Sequence, residues 1–243
     1  MRAWLEGALE SGRNLPEDAF GYLLGRGMRE STIDRLGMTL WRTPEEPCPD
    51  AEFNDRYKGG SYLDGRIACP ALSPRGSLIG FEGRTWQTGD QKRITDFRLP
   101  ESKWNPFFLG LTPDIMERIW EGADVWIVEG LFDLAAMERV VPRKDVVLAT
   151  VRAKLGDTHV EFLRRYVRHG CVYIVYDNDE TGRKQTHGWV DDRTGKRRWG
   201  ALDQLNRVGV TCQHVPYQGG KDPGVIWDRG GQAGLEAAFS HII

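Results

Sequence analysis

Two stretches in the second half of the chain decide the fold: Val125-Trp-Ile-Val-Glu129-Gly130-Leu-Phe-Asp133 and Val172-Tyr-Ile-Val-Tyr-Asp177-Asn-Asp179-Glu-Thr-Gly182. Each is a short apolar run that is followed at once by acidic residues. Runs of this length are typical of buried strands, and the carboxyl ends of parallel strands meet at one edge of a sheet. We therefore expect Glu129, Asp177 and Asp179 to lie close together at that edge.

Three neighbouring carboxylates predict a metal site, because they repel one another unless a divalent cation neutralises them. Oxygen ligands without His or Cys nearby favour Mg²⁺ or Mn²⁺ over zinc. The alternative is that these acids are ordinary strand-end and turn residues, since Asp is common in turns and at helix N-caps. The second acidic strand end, with Gly130 directly after Glu129, favours the metal.

Strands and helices alternate from residue 124 onward, and this alternation predicts a parallel α/β sheet. The predicted strands are 124–129, 145–150, 171–177 and 211–216, and the predicted helices are 132–140, 157–168 and 200–208. Between residues 186 and 199 the polar run Asp-Asp-Arg-Thr-Gly-Lys-Arg-Arg indicates an insertion with a small hairpin.

The first half of the chain has a different pattern, which predicts a smaller α+β part. Residues 1–40 are expected to be helical, 41–60 loop-rich, 66–72 and 77–86 a β-hairpin, and 87–104 a loop or an irregular strand. The composition changes near 105–118. We therefore expect two domains, an N-terminal basic α+β subdomain over residues 1–115 and an α/β domain over residues 116–243.

The composition describes a soluble globular protein, with 40% hydrophobic and 28% charged residues and a mean hydropathy of −0.49. No apolar run approaches the roughly 20 residues needed to cross a bilayer, so we expect no membrane association and a cytoplasmic location. The four cysteines form no C-x-x-C pair, which argues against a zinc knuckle or a disulfide framework. A net charge of −2 argues against a tight duplex binder.

Several motifs of the chain resemble those of a known family. Glu129-Gly130 with Asp133, followed by Asp177-x-Asp179-x-x-Gly182, resembles the Toprim signature of primases, topoisomerases and some nucleases. Further landmarks resemble the RNA polymerase core of DnaG-type bacterial and phage primases, in the same order along the chain. They are the Tyr22-Leu-Leu-Gly-Arg26-Gly segment, the strand Gly80-Phe-Glu-Gly-Arg84, Phe108-Leu-Gly110-Leu111 and the turn Lys221-Asp222-Pro223.

The resemblance implies a Toprim parallel-sheet domain preceded by a smaller mixed α+β subdomain. It implies a DNA primase core that synthesises short RNA primers on single-stranded DNA by metal-dependent nucleotidyl transfer. Glu129, Asp177 and Asp179 match the catalytic, metal-binding acids of that family, and Asp133 and Asp222 match further metal-associated acids. Where the family has a second acid after Lys-Asp-Pro, this chain has Gly224.

Eight residues are candidates for contacts with the nucleotide or the template. They are Arg26, Arg84, Lys103, Gly130, Gly182, Arg183, Lys184 and Lys221. Glycine allows close approach of backbone and phosphate, and the basic side chains are placed to bind phosphates. The alternatives are simple turn glycines and solvated surface charges. Trp86 and Trp104, both near basic residues, are candidates for stacking on single-stranded bases, with core packing as the alternative.

The expected partners are single-stranded DNA and ribonucleoside triphosphates. No N-terminal Cys/His module and no C-terminal helicase-binding bundle is recognisable, so we expect a bare polymerase core of the sort that a phage or plasmid encodes. Such a core needs a separate zinc-binding protein or the replicative helicase to select templates, and acts in the host cytoplasm if it is phage-encoded. The alternative functions are a Toprim-type metal-dependent nuclease and a non-catalytic replisome binding module.

Overall fold

The computed structural model describes residues 1–87, 94–151 and 154–242, and the structural statements below concern these ranges. Part of the polar stretch 87–104, predicted as a loop or an irregular strand, lies outside them. Among the residues described, no helix is sufficiently long and apolar to span a lipid bilayer.

The chain forms ten helices and ten strands within the described ranges. The helices are α1 Arg2–Ser11, α2 Glu17–Gly25, α3 Glu30–Arg35, α4 Ala51–Tyr57, α5 Pro113–Trp120, α6 Leu131–Met137, α7 Asp157–Tyr166, α8 Glu180–His187, α9 Ala201–Arg207 and α10 Pro223–Phe239. The strands are β1 Thr39–Leu40, β2 Ile67–Leu72, β3 Leu78–Arg84, β4 Ile94–Arg98, β5 Val125–Val128, β6 Val146–Ala149, β7 Val172–Val175, β8 Trp189–Val190, β9 Arg197–Arg198 and β10 Cys212–His214. Two short 3₁₀ turns cover Lys58–Leu63 and Pro100–Ser102.

The first half of the chain is built on an antiparallel sheet in the order β1-β2-β3-β4. The predicted hairpin is confirmed as β2 and β3, which β4 extends by pairing with β3. Buried aromatic rings fill the space between this sheet and α1 and α4. Phe81 stacks on Trp41 with 5.0 Å between ring centroids, and Phe53 meets Phe97 edge-on at 4.9 Å.

Residues 41–60 were predicted as loop-rich, and for much of this segment that prediction was wrong. Helix α4 begins after Asp50, whose Oδ1 accepts a hydrogen bond from the N–H of Phe53 at 2.8 Å. Phe53 and Tyr57, one turn apart, are buried on the same side of the helix. The prolines before Asp50 obscured this helix, because the capping acid and the two aromatic rings are its only signals.

The second half of the chain contains the predicted parallel sheet, in the order β10-β7-β5-β6. The four predicted strands are confirmed, each two or three residues shorter than expected, and all three pairings are parallel. The predicted fold class, a parallel-sheet α/β part preceded by a smaller α+β part, is confirmed. The predicted hairpin of the insertion is confirmed as β8 and β9.

Helix α10, which no sequence pattern predicted, packs against α6 and extends the core beyond the sheet. Asp222 caps it, since its Oδ1 accepts from the N–H of Val225 at 2.6 Å. Its apolar residues are spaced irregularly around glycines, and the helix is interrupted at Gly231. This glycine-rich composition is why periodicity did not reveal the helix.

One continuous apolar core contains residues from both halves of the chain. Polar contacts join the halves as well: Glu138, directly after α6, accepts a hydrogen bond from the hydroxyl of Thr32 at 2.7 Å, and Arg139 donates to the carbonyl of Gly27 at 2.8 Å. The proposed domain boundary at 115/116 remains a prediction, and α5 spans that position.

Replacing Phe81 with alanine should lower the free energy of unfolding by about 3–5 kcal/mol, the usual cost of removing a buried ring. Phe81 is fully buried among Trp41 and Phe97. Urea unfolding of the variant measures the change. Trp104→Ala is the matched control, since Trp104 is 79% exposed, and its effect should stay within about 0.5 kcal/mol. Equal losses in the two variants would contradict the assignment of Phe81 to the core.

Candidate metal and nucleotide site

The acidic residues after β5 and β7 lie side by side at the carboxyl edge of the parallel sheet. The two strands pair in register, with Val128 opposite Val175. Glu129 follows β5 directly, and its Oε1 accepts a hydrogen bond from the backbone N–H of Asp177 at 2.9 Å. The ends of β5 and β7 therefore lie next to each other, as the sequence predicted.

Asp177 and Asp179 share one cation, the ammonium group of Lys221. The Nζ of Lys221 lies 2.9 Å from Oδ2 of Asp177 and 3.3 Å from Oδ2 of Asp179. The second oxygen of Asp179, Oδ1, caps α8 by accepting from the N–H of Gly182 at 2.9 Å. Two carboxylates from one loop thus face the same positively charged atom.

Backbone N–H groups bind the two remaining acids. Oδ2 of Asp133 accepts from Gly130 at 3.0 Å, and Oδ1 of Asp133 accepts from Gly224 at 3.1 Å. Asp222 caps α10, as described above. Asp133 therefore joins the amino ends of α6 and α10. Of the strand-end acids, for which the sequence left a capping role open, Asp179 caps a helix.

Burial and mutual repulsion shift the pKa values of these acids. Burial, and then the charge of Asp177, raise the pKa of Glu129 to about 7. Burial, and then the charge of Asp222, raise the pKa of Asp133. Burial also raises the pKa of Asp177, although Lys221 opposes this, whereas the N–H of Gly182 lowers the pKa of Asp179. The negative charge at this edge is thus only partly compensated by the chain itself.

The residues at this edge fit a hard divalent cation. The ammonium of Lys221 is a stand-in that marks where two carboxylate oxygens converge on positive charge, and carboxylate oxygens are the ligands that such ions prefer. Over the described ranges, however, no group of three or more His, Cys, Asp or Glu side chains is placed to hold an ion as it stands. The ligand set Glu129, Asp177 and Asp179 therefore stays a prediction.

Comparison with known proteins places this acidic edge in a family. A Toprim-like family model matches residues 126–224, which include β5 except its first residue, β7, all five acids and Lys221. This part of the chain is a Toprim domain. The predicted family is confirmed for it.

The chain as a whole resembles DNA primases. It is 24% identical to a DNA primase of Deinococcus radiodurans over 93% of this chain, and it spans 40% of that relative's length. Its fold is that of the primase catalytic core. It superposes on the zinc-binding and RNA polymerase domains of the Aquifex aeolicus primase with a TM-score of 0.69 and 20% identity, covering 99% of this chain and 60% of that one. It also superposes on a DnaG primase catalytic domain bound to single-stranded DNA, with a TM-score of 0.63 and 17% identity. That superposition covers 98% of this chain and 81% of the other.

Gly182 and Gly130 have different roles in the Toprim domain. A Cβ atom on Gly182 would lie 1.9 Å from the carbonyl oxygen of Asp177, so α8 packs directly on the strand end that carries the acids. Gly130 has extended backbone dihedral angles, φ −133° and ψ 170°, which other residues also adopt. The close approach that the sequence predicted for Gly182 is thus made by the chain's own backbone, and contact with a phosphate stays a prediction.

Arg26 and Arg84 meet at one aromatic ring beside the Toprim acids. Their guanidinium carbons lie 4.2 and 4.4 Å from the centroid of Phe132, the neighbour of Asp133. Arg26 pairs with Asp228 at 3.1 Å, and Arg84 pairs with the buried Glu82 at 3.1 Å. The first half of the chain therefore places two guanidinium groups, each paired with an acid, next to the acidic edge.

The other predicted basic residues are placed differently. Lys184 pairs with Glu180 on the surface of α8 at 2.6 Å, and Arg183 beside it is exposed. The ammonium of Lys103 lies 5.2 Å from the ring of the exposed Trp104, in the first half of the chain. Contacts of these three residues with a nucleotide or template stay predictions.

Sequence reasoning missed two residues that shape the site. The hydroxyl of Tyr217 lies within hydrogen-bond distance of two carbonyl oxygens, of Tyr176 at 3.1 Å and of Lys221 at 2.9 Å, and donates its single proton to one of them at a time. This contact holds the Lys221 turn beside the strand end. Phe132 supplies the ring on which Arg26 and Arg84 lie. Neither residue follows from spacing, because their partners are distant in sequence. Only the Toprim resemblance drew attention to their surroundings.

The raised pKa of Glu129 predicts a pH dependence of stability in EDTA. The folded state binds this proton more tightly than the unfolded state, so the contribution of Glu129 to the free energy of unfolding should fall as the pH rises from about 4.5 to about 7, and then level off. Glu129→Gln should therefore be more stable than the parent at pH 8, by about 2 kcal/mol.

Urea unfolding between pH 4.5 and 8 tests this prediction through the difference between the variant and the parent chain. Glu10→Gln, at an acid of α1 that is exposed and forms only a surface ion pair with Arg13, is the control and should show no such trend. A difference that is independent of pH would contradict the raised pKa.

Gly182→Ala should lower the free energy of unfolding by about 1–3 kcal/mol, because the added methyl group collides with the backbone of Asp177. Gly21→Ala in α2 is the control. A Cβ there meets nothing within 4 Å, and alanine favours a helix by up to about 1 kcal/mol. Chemical unfolding of both variants measures the effect, and a Gly182→Ala chain as stable as the parent would refute the close packing.

Proposed function

We propose that the chain is the catalytic core of a DNA primase, which synthesises short RNA primers on single-stranded DNA by metal-dependent nucleotidyl transfer. The observation that carries the proposal is the convergence of Asp177 and Asp179 on one cation at the carboxyl edge of a Toprim sheet. The fold of the whole chain and the relatedness to DNA primases support it. Because the chain spans 40% of the D. radiodurans primase, this activity remains a proposal for the chain.

The proposed cation is Mg²⁺ or Mn²⁺, held by Asp177 and Asp179 together with Glu129. A bound ion neutralises negative charge on the triphosphate and in the transition state. The ammonium of Lys221 has to leave the two aspartates when the ion binds, since it lies at the same oxygens. Lys221 is then free to pair with a phosphate of the incoming nucleotide.

The other acids have supporting roles in this proposal. The hydrogen bond from Asp177 to Glu129 fixes the two strand ends relative to each other. Asp133 holds the amino ends of α6 and α10 together, and Asp222 caps α10 beside it. We infer that Asp133 and Asp222 act on the ion through this framework or through bound water, as metal-associated acids.

The reaction forms a bond between the 3′ oxygen of one nucleotide and the α-phosphorus of the next. The bond from that phosphorus to the bridging oxygen breaks, pyrophosphate leaves, and the hydroxyl proton is lost. We assign Arg26 and Arg84, which lie over Phe132 beside the acids, to template or triphosphate contacts. Gly130, Gly182, Arg183, Lys184 and Lys103 remain further candidates for such contacts.

The proposed partners are single-stranded DNA, ribonucleoside triphosphates, and a helicase or a zinc-binding protein that selects templates. One structural neighbour is a DnaG catalytic domain bound to single-stranded DNA, and another contains a zinc-binding domain besides the polymerase domain. The proposed place of action is the cytoplasm, where a replicating template is found. Residues 1–115 and 116–243 are the proposed domains.

Primer synthesis is tested with the full chain, single-stranded DNA, labelled ribonucleotides, and Mg²⁺ or Mn²⁺. We expect short labelled products. Asp177→Asn and Asp179→Asn should reduce product formation by at least about a hundredfold, because each removes a proposed ligand from the ion. The control is Asp34→Asn, at an exposed acid in the last turn of α3, which should leave the rate unchanged.

The products distinguish the competing functions. Shortened template that is lost in the same variants would identify a nuclease, and neither synthesis nor cleavage would favour a binding module. Thermal unfolding with and without Mn²⁺ adds a readout that does not depend on activity. Mn²⁺ should stabilise the parent chain and the Asp34→Asn variant, but not Asp177→Asn.

A further inference from the structure

Two exposed tryptophans mark a groove on the side of α7 that faces solvent. The groove has two compartments, of about 610 and 370 Å³, which share Pro74, Arg165 and Tyr166. Trp120 borders the larger compartment and is 69% exposed, and Trp104 borders the smaller one and is 79% exposed. We call this feature the α7 groove. Exposed apolar side chains that lie together mark binding surfaces more often than isolated ones do.

The α7 groove presents a stacked pair of aromatic rings. The rings of Trp120 and Tyr166 are nearly parallel, with an interplanar angle of 19° and 6.4 Å between centroids. Arg165 lies over Tyr166 at 5.4 Å, and at the other end Lys103 lies over Trp104 at 5.2 Å. The groove therefore combines flat apolar faces with cationic groups beside them, along a helix about 15 Å long.

The larger compartment is basic although the chain as a whole is slightly acidic. Arg75, Arg165 and Arg168 line it together with His169, and none of its described lining residues is Asp or Glu. Within the described ranges these three arginine side chains form no salt bridge with an acid. The smaller compartment contains Asp157 and Glu161, of which Glu161 is paired with Arg164 at 2.6 Å. Positive charge is thus concentrated at the Trp120 end.

The larger compartment of the α7 groove is separate from the acidic edge of the Toprim domain. Trp120 and Tyr166 end the helices that lead into β5 and β7, so they lie at the amino edge of the sheet. The acids follow the carboxyl ends of the same strands. Four residues of strand, roughly 13 Å, separate the two edges. A ligand in the larger compartment therefore binds away from the acids, whereas the smaller compartment lies beside Asp157 and Thr158, the first residues of α7.

We propose that the α7 groove binds single-stranded nucleic acid, with bases stacked on Trp120, Tyr166 and Trp104 and phosphates paired with Arg75, Arg165 and Arg168. Aromatic rings stack on bases of any sequence. One guanidinium group can donate two parallel hydrogen bonds to two oxygens of the same phosphate. The part of the strand that occupies the larger compartment is held at the edge of the sheet opposite the acids. This site does not depend on primer synthesis, and it would also serve a binding module.

Binding is measured by the fluorescence anisotropy of a labelled twenty-nucleotide oligo(dT), in EDTA and in the Asp177→Asn background, so that ion binding at the acidic edge plays no part. Trp120→Ala and Arg165→Ala/Arg168→Ala should each weaken binding about tenfold. The arginine variant should also reduce the dependence of binding on salt. The matched control is Trp199→Ala/Arg207→Ala, which removes an exposed tryptophan with an arginine 4.6 Å above it outside the groove.

Two further measurements make the outcome decisive. An abasic strand of equal length tests for stacking, since Trp120→Ala should weaken oligo(dT) binding but leave abasic binding unchanged. Photocrosslinking with 5-iodouracil should label Trp120 or Tyr166. Equal losses in the groove variants and the control, no loss in the groove variants, or crosslinks only near Asp177 would each overturn the proposal. Circular dichroism establishes that every variant is folded, and the exposure of Trp120 makes unfolding of Trp120→Ala unexpected.

Discussion

Repulsion between carboxylates at the end of β5 and β7 is the constraint on which the rest of this structure depends. The sheet places Glu129 and Asp177 on neighbouring strands, and burial removes the water that would screen their charges. Hydrogen-bond donors offset part of this repulsion. The N–H of Asp177 donates to Glu129, and the ammonium group of Lys221 pairs with both Asp177 and Asp179. The hydroxyl of Tyr217 holds the loop that carries Lys221, through a hydrogen bond to the carbonyl of Lys221. The donors and the loop around this edge thus keep the carboxylates of Glu129, Asp177 and Asp179 close together despite their repulsion.

Much of this arrangement follows from the sequence, because it depends on local pattern. Apolar runs that end in acid identified β5 and β7, and the rule that parallel strands end at a common edge brought Glu129 and Asp177 together. The alternation of strands and helices predicted the fold class. Turn residues between apolar runs predicted the hairpin of β2 and β3. In each case the signal lies within about ten residues of the element that it describes.

The parts that the sequence did not predict depend on contacts between distant residues. The N–H of Gly224 reaches Asp133 across 91 positions of the chain, and Phe132 receives Arg26 and Arg84 from a different sheet and helix. Helix α10 is rich in glycine and is stabilised by packing on α6, so its own sequence gives little sign of it. Helix α4 follows prolines that are typical of loops. Spacing carries no information about such partners, which only the folded chain brings together.

The position of α6 has a consequence for how the chain can be divided. Six of its seven residues are buried, with the parallel sheet on one side and α10 and the first helices on the other. The hydrogen bonds from Thr32 to Glu138 and from Arg139 to Gly27 fasten the first forty residues over it. A fragment cut at the sequence boundary near residue 116 would expose this apolar helix to water. The amino-terminal helices therefore cover the face of α6 that points away from the sheet, and the two halves are expected to fold together.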